Sequence, residues 1–211
     1  MSDKHVLVTG ASGGLGAAVV EVLTSHGWDV TGWSHADVDL TNDAATLVAV
    51  EQLQKPLHAI VHLVGGIVAG RTLDASSSVD FDMMVNLNLR TTFSVLRHAL
   101  PLLSETRGAV VTIGASAAVH PVSGKALYGA TKAGVIALTL ALAEEGKHHG
   151  VRASCIVPHI IDTPANRSWG SDDDRASWVT PNEIADAITR LIDPSSSVTG
   201  TVIPMYGRCT P

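Results

Sequence analysis

The chain has 211 residues, is 45% hydrophobic and carries a formal charge of −6. That length and apolar content suit one core of ordinary domain size, while the acidic balance and lack of a basic run argue against a nucleic-acid surface. The first residues, Met1-Ser2-Asp3-Lys4-His5, lack a signal-peptide pattern, and the apolar run near 59–69 is broken by His62 and glycines, so no membrane span is expected. Two cysteines, Cys155 and Cys209, read as free thiols, and a cytoplasmic location is the default expectation.

Apolar runs and helical periodicities alternate along the chain. Strands are predicted at 5–9, 29–33, 58–64, 108–113, 151–157 and 199–205, and Asp37-Val38-Asp39-Leu40 is expected to add a seventh at or near an edge. Helices are predicted at 14–26, 43–54, 79–103, 126–149 and 181–193. This alternation implies a single doubly wound α/β domain over 1–211, a Rossmann-type parallel sheet covered on both faces. Only Ser34-His35-Ala36 separates the second strand from Asp37. A parallel crossover needs a dozen or more residues, so the helix expected after the second strand is missing.

The first strand runs into Thr9-Gly10-Ala11-Ser12-Gly13-Gly14-Leu15-Gly16, followed by a helix. Strand, glycine-rich turn and helix start form a cradle for a pyrophosphate: Gly10, Gly13, Gly14 and Gly16 admit close backbone approach, and the helix N-terminus offers free N–H groups. Further on, Tyr128-Gly129-Ala130-Thr131-Lys132 puts a phenol and an amine one helical turn apart. A neighbouring ammonium is expected to lower the phenol's pKa from its ordinary value near ~10.

Together these motifs resemble the short-chain dehydrogenase/reductase family, whose T-G-x-x-x-G-x-G and Y-x-x-x-K patterns are both present. The resemblance spans nearly the whole chain. It implies a nicotinamide dinucleotide cofactor, with Tyr128 as proton donor and Lys132 holding the nicotinamide ribose. Asn88, in Val85-Asn86-Leu87-Asn88, maps onto the family's catalytic asparagine and implies a water-mediated relay to the lysine. Val64-Gly65-Gly66 stands where the family has N-A-G, and Asp39-Leu40 resembles its adenine-edge contact, although Asp39 also reads as a cap or turn residue. Pro158-His159-Ile160-Ile161-Asp162-Thr163 resembles the P-G-x-x-x-T segment beside the nicotinamide, with His159 replacing glycine. Pro158, Ile161 and Thr163 are the expected contacts there. The resemblance also implies a homodimer or homotetramer built on the helices at 79–103 and 126–149.

Three departures matter. The end of the second strand carries Trp33-Ser34-His35 with no acid before Asp37. An acid there binds the ribose hydroxyls, whereas a hydroxyl accommodates a 2′-phosphate, so Ser34 leans slightly towards NADP(H) over NAD(H). The family serine falls on Ala115, and Ser116 is one residue late. On a strand that offset points its hydroxyl to the opposite face, unless the strand ends early. Gly114-Ala115 with Ala117-Ala118, Gly124, Tyr128-Gly129 and Lys132 is similar to dihydropteridine reductases, which also lack the serine. So are Asp162–Arg167 and Trp178-Val179-Thr180-Pro181. The expected activity is hydride transfer between nicotinamide and a carbonyl, quinonoid or imine-like small molecule. The alternative is a weakened protein that binds NAD(P) as a redox signal.

No metal site is expected. His148-His149 are adjacent and diverge by about 100° on a helix, so they cannot chelate one ion. His62, His98 and His120 lack ligand spacing. Trp169 and Trp178 are expected over the substrate, as lid or as packing.

Overall fold

The computed structural model describes residues 4–208; Cys209 lies outside the described residues. Six parallel strands form one sheet: β1 (His5–Thr9), β2 (Asp29–Trp33), β3 (Ala59–His62), β4 (Ala109–Ile113), β5 (Arg152–Pro158) and β6 (Thr201–Met205), in the order β2-β1-β3-β4-β5-β6. The strand order reverses beside β1, which creates a crevice at the carboxyl ends of β1 and β3, where open α/β sheets bind ligands. The interior strands are buried on both faces, as continuous Val/Ile/Leu runs require.

Two apolar cores flank the sheet. One packs α1 (Gly14–Ser25) and α8 (Pro181–Ile192) against Val6, Val8, Val61, Val111 and Ile156. The other packs Leu7, Ile60 and Val110 against Val95, Ala99 and Leu103 of α4 (Thr91–Thr106) and Leu142 of α5 (Ala126–Glu145). Each fully buried Leu, Ile or Val contributes about 1.5–3 kcal/mol. Thr180 and Glu183 close a reciprocal capping box on α8, which halts fraying at that end.

The expected seventh strand is absent. Residues 37–40 form turns, Leu40 buries into the second core, and the chain enters α2 (Asp43–Glu51). The short link cannot support a strand and a crossover helix, so β2 stands at the sheet edge. α2 is tied instead to α4, where His98 and Ser94 lie 2.9 and 3.1 Å from the Asp43 carboxylate.

The helix expected over 79–103 is three pieces in line: α3 (Ser78–Met84), a wide π-type stretch at Val85–Arg90, and α4. Two four-residue helices not expected from sequence, α6 (Pro164–Arg167) and α7 (Asp172–Arg175), follow β5. Residues Ala126–His149, not the run near 59–69, form the segment long and apolar enough by composition to cross a membrane. In the fold its Thr131, Lys132, Val135, Thr139 and Leu142 are buried.

Candidate active site

The turn between β1 and α1 is shaped by its glycines. Gly10 adopts φ +76°, a left-handed conformation that L side chains rarely take. A Cβ on Gly16 would lie 2.1 Å from the Gly10 carbonyl oxygen, so the turn closes only around glycine there. Gly13, the residue before α1, supplies no side-chain cap, and the first helical turn holds no acid. The helix N-terminus thus faces the crevice with amide donors and no acid in its own first turn, which fits the pyrophosphate of a dinucleotide. Gly10 packs on the backbone of Leu63 and Val64, and Gly14 faces Thr163 and Pro164. Ser12 lines the cleft that continues over Gly32 to Ser34.

At the other end a cleft of about 270 Å³ is lined by Leu15, Gly65, Gly66, Ser116, Tyr128, Lys132, Pro158, His159 and Ile161. No carboxylate lines it among the described residues, although the chain is acidic overall. Tyr128 and Lys132 project from one face of α5, as their spacing predicts. Lys132 is buried and donates from Nζ to the Ile113 carbonyl at 2.9 Å. Burial brings its pKa down to about 8. The Tyr128 phenol is pushed up to about 12 by burial alone. This corrects the expectation that the ammonium pulls the phenol down. The lysine's hydrogen bond goes to a backbone carbonyl, and burial keeps the phenol protonated at neutral pH.

Asn88 is fully buried in the π-type stretch and clamps Gly66: its Oδ1 accepts from the Gly66 amide at 2.9 Å and its Nδ2 donates to the Gly66 carbonyl at 3.0 Å. A Cβ on Gly65 would lie 2.7 Å from Asn88 Oδ1 and 2.8 Å from Lys132 Nζ. Asn88, Gly65 and Lys132 therefore form one packed group with no room for a side chain at Gly65. His62 beneath them pairs with Thr9 at 2.8 Å and falls to a pKa of about 3 through burial, a neutral packing residue.

The register argument against Ser116 does not hold. β4 ends at Ile113, and a short 3₁₀ turn begins at Ser116, so strand alternation no longer governs its direction. Ser116 lines the cleft with Tyr128, and its Oγ lies 2.8 Å from His159 Nδ1. Gly129 allows this approach: a Cβ there would lie 2.7 Å from the Ala117 carbonyl oxygen. His159 replaces a glycine of the family pattern, and that replacement was the sequence signal for its place in the cleft. Lys125 and Trp169 also line it, and Trp169 leans on the buried Trp178 with ring centroids 5.2 Å apart.

The residues expected at the adenosine end have local partners in the fold. Leu40 is core, and Asp39 is a turn residue whose Oδ1 accepts from the Thr41 amide and hydroxyl at 3.0 and 2.6 Å. Ser34 donates both its amide (2.8 Å) and its hydroxyl (2.6 Å) to the Asp37 carboxylate. Those bonds hold the Asp37 carboxyl below its ordinary pKa and hence ionised. A turn closed by Asp37 N–H to Ser34 O at 3.1 Å returns the acid to the strand end. Linear counting from the strand missed it.

Residues 3–207 match the family model described as enoyl-(acyl carrier protein) reductase. The chain belongs to the short-chain dehydrogenase/reductase family. It is 31% identical to the acetoacetyl-CoA reductase of Synechocystis sp., covering 98% of this chain and 96% of that protein. It is 29% identical to the L-fucose dehydrogenase of Mus musculus, over 95% of this chain and 81% of that protein. The crystal structure of a 3-ketoacyl-(acyl-carrier-protein) reductase from Brucella melitensis, complexed with NADH, shares the fold with a TM-score of 0.90 at 23% identity, covering 98% of each chain. This short-chain dehydrogenase/reductase is an NAD(P)-dependent oxidoreductase.

Proposed function

We propose that the protein reduces a carbonyl group on a small molecule, with Tyr128 as proton donor. The observation that carries this reading is the convergence of Ser116, Tyr128 and Lys132 on one carboxylate-free cleft at the end of the glycine cradle. Lys132 and the glycine turn would hold a dihydronicotinamide, which would supply hydride chemistry at the carbonyl carbon. The Tyr128 hydroxyl gives its proton to the carbonyl oxygen as negative charge develops there, and Ser116 offers a second O–H donor. Lys132 holds the ribose, while Asn88 fixes Gly65 and Gly66 beside it. The quinonoid or imine reading drew on the missing serine hydroxyl and on the likeness to dihydropteridine reductases, and Ser116 in the cleft favours the carbonyl reading over it. Names among the relatives range from thioester to sugar chemistry, so the test is a screen. Oxidation of NADH and NADPH is followed over 3-oxoacyl thioesters, ketones, sugars, quinones and pterins. Turnover of the pterins or quinones alone would return the reading to the imine-like class.

The lean towards NADP(H) reverses. Ser34 is committed to Asp37, and an ionised carboxylate there accepts from ribose hydroxyls and repels a 2′-phosphate. NAD(H) is the proposed cofactor. Asp37→Ser is expected to shift the NADH-to-NADPH ratio of kcat/KM by at least ~10-fold towards NADPH, since one close like-charge contact costs on the order of 1–3 kcal/mol. A wild type that prefers NADPH would reject the assignment.

The 1–211 domain is proposed to act as a cytoplasmic homo-oligomer. Val79, Phe81, Met83 and Phe93 are exposed at 69%, 52%, 48% and 46% on consecutive helical segments. Beside them Val85, Leu89, Arg90, Phe93 and Leu138 line an apolar depression of about 270 Å³. A second copy covering this face would bury it. Sedimentation at micromolar concentration is expected to give a dimer or tetramer, and Phe93→Glu to give monomer. A wild-type monomer rejects this.

A further inference from the structure

We infer that His159 is a positioning residue that aims the Ser116 hydroxyl at the substrate oxygen, so that Ser116 and Tyr128 grip that oxygen together. The inference rests on the carbonyl-reduction reading. It begins with the Ser116 hydroxyl, which has one side-chain partner among the described residues, His159 Nδ1 at 2.8 Å. Ser116 is only 7% exposed, and it sits at the start of a 3₁₀ turn whose backbone is already fixed. Its carbonyl accepts from the Val119 and His120 amides at 2.9 and 2.7 Å. The remaining freedom is rotation of the hydroxyl, and the imidazole controls it.

The ring is itself held. The His159 amide donates to the Met205 carbonyl at 3.1 Å, tying the residue to the end of β6. Tyr206 meets the His159 ring nearly edge-on at 6.4 Å and the His120 ring at 5.8 Å. Burial first, then the nearby Lys125 and His120 charges, keep the His159 pKa below its ordinary value, so the ring is neutral at pH 7. A neutral imidazole carries one N–H. With that proton on Nδ1, the ring donates to Ser116 Oγ and occupies one lone pair. The serine's own proton then points to a ligand in the cleft, the geometry a carbonyl oxygen accepts. No bond is made or broken by His159; it acts through Ser116.

A double-mutant cycle on the whole enzyme, run with whichever probe of the screen is reduced, tests this. Ser116→Ala is expected to lower kcat on the order of 100-fold, the usual cost of one oxyanion donor. His159→Gly is expected to lower kcat about tenfold, the loss of one hydrogen bond, with the KM for NADH unchanged. His159→Asn, whose amide nitrogen can take the place of Nδ1, should recover most of that loss. In the Ser116→Ala background, His159→Gly should cost nothing further. An equal loss in both backgrounds, or an Asn variant no better than Gly, overturns the inference and leaves His159 as packing. A Tyr128→Phe variant with wild-type turnover would strike the carbonyl-reduction reading instead.

Discussion

Tyr128→Phe is expected to reduce turnover at least ~100-fold while leaving NADH affinity near the wild-type value. The substitution removes one oxygen from a side chain that is mostly buried, so the ring keeps its packing. What is lost is the one phenol lining the cleft among the described residues, a group that burial holds protonated with a pKa of about 12. Such a phenol is protonated at neutral pH, and in the proposed reaction it gives its proton to an oxygen that becomes strongly basic as hydride arrives. Single-turnover reduction, with binding measured separately by nucleotide fluorescence, reads the two effects apart. A variant that retains full turnover would move the proton donor elsewhere.

The second large effect is expected at Gly16. A methyl group there would lie 2.1 Å from the Gly10 carbonyl oxygen and 2.7 Å from the Ala11 carbonyl carbon, both of them backbone. No side chain can swing aside to relieve that contact. Gly16→Ala must therefore open the turn that aims the α1 amides into the crevice. Nucleotide affinity should fall at least ~10-fold, and Tm should fall too, because Leu15 and Val19 of the same helix belong to the core. Gly14 differs: a Cβ there would meet the Thr163 and Pro164 side chains at 3.0 and 3.2 Å, atoms that can give way. Unaltered NADH titration of Gly16→Ala would remove the cradle from the binding site.

Much of this was legible because it depends on neighbours in the chain. The Tyr128–Lys132 pair shares a helix face through spacing alone, and the glycine turn is recognisable because its strand, turn and helix are contiguous. The missing crossover helix was readable as a length: three residues cannot cross a sheet. The seventh strand was not readable that way, because Leu40 enters the core, a contact that local sequence does not show.

The sequence by itself determined the parallel α/β fold, the glycine-rich turn between β1 and α1, and the helix face that Tyr128 and Lys132 share, all set by local periodicity and motif spacing. The tertiary structure decided what depends on where a strand stops and what folds back onto it. Ending β4 at Ile113 turned Ser116 into the cleft, and a serine-anchored turn brought Asp37 back to the end of β2. The pairing of Ser116 with His159 joins residues 43 apart on adjacent strand ends. Burial likewise raised Tyr128 and lowered Lys132. Desolvation depends on the whole surrounding shell, and no spacing of two residues along the chain encodes that shell.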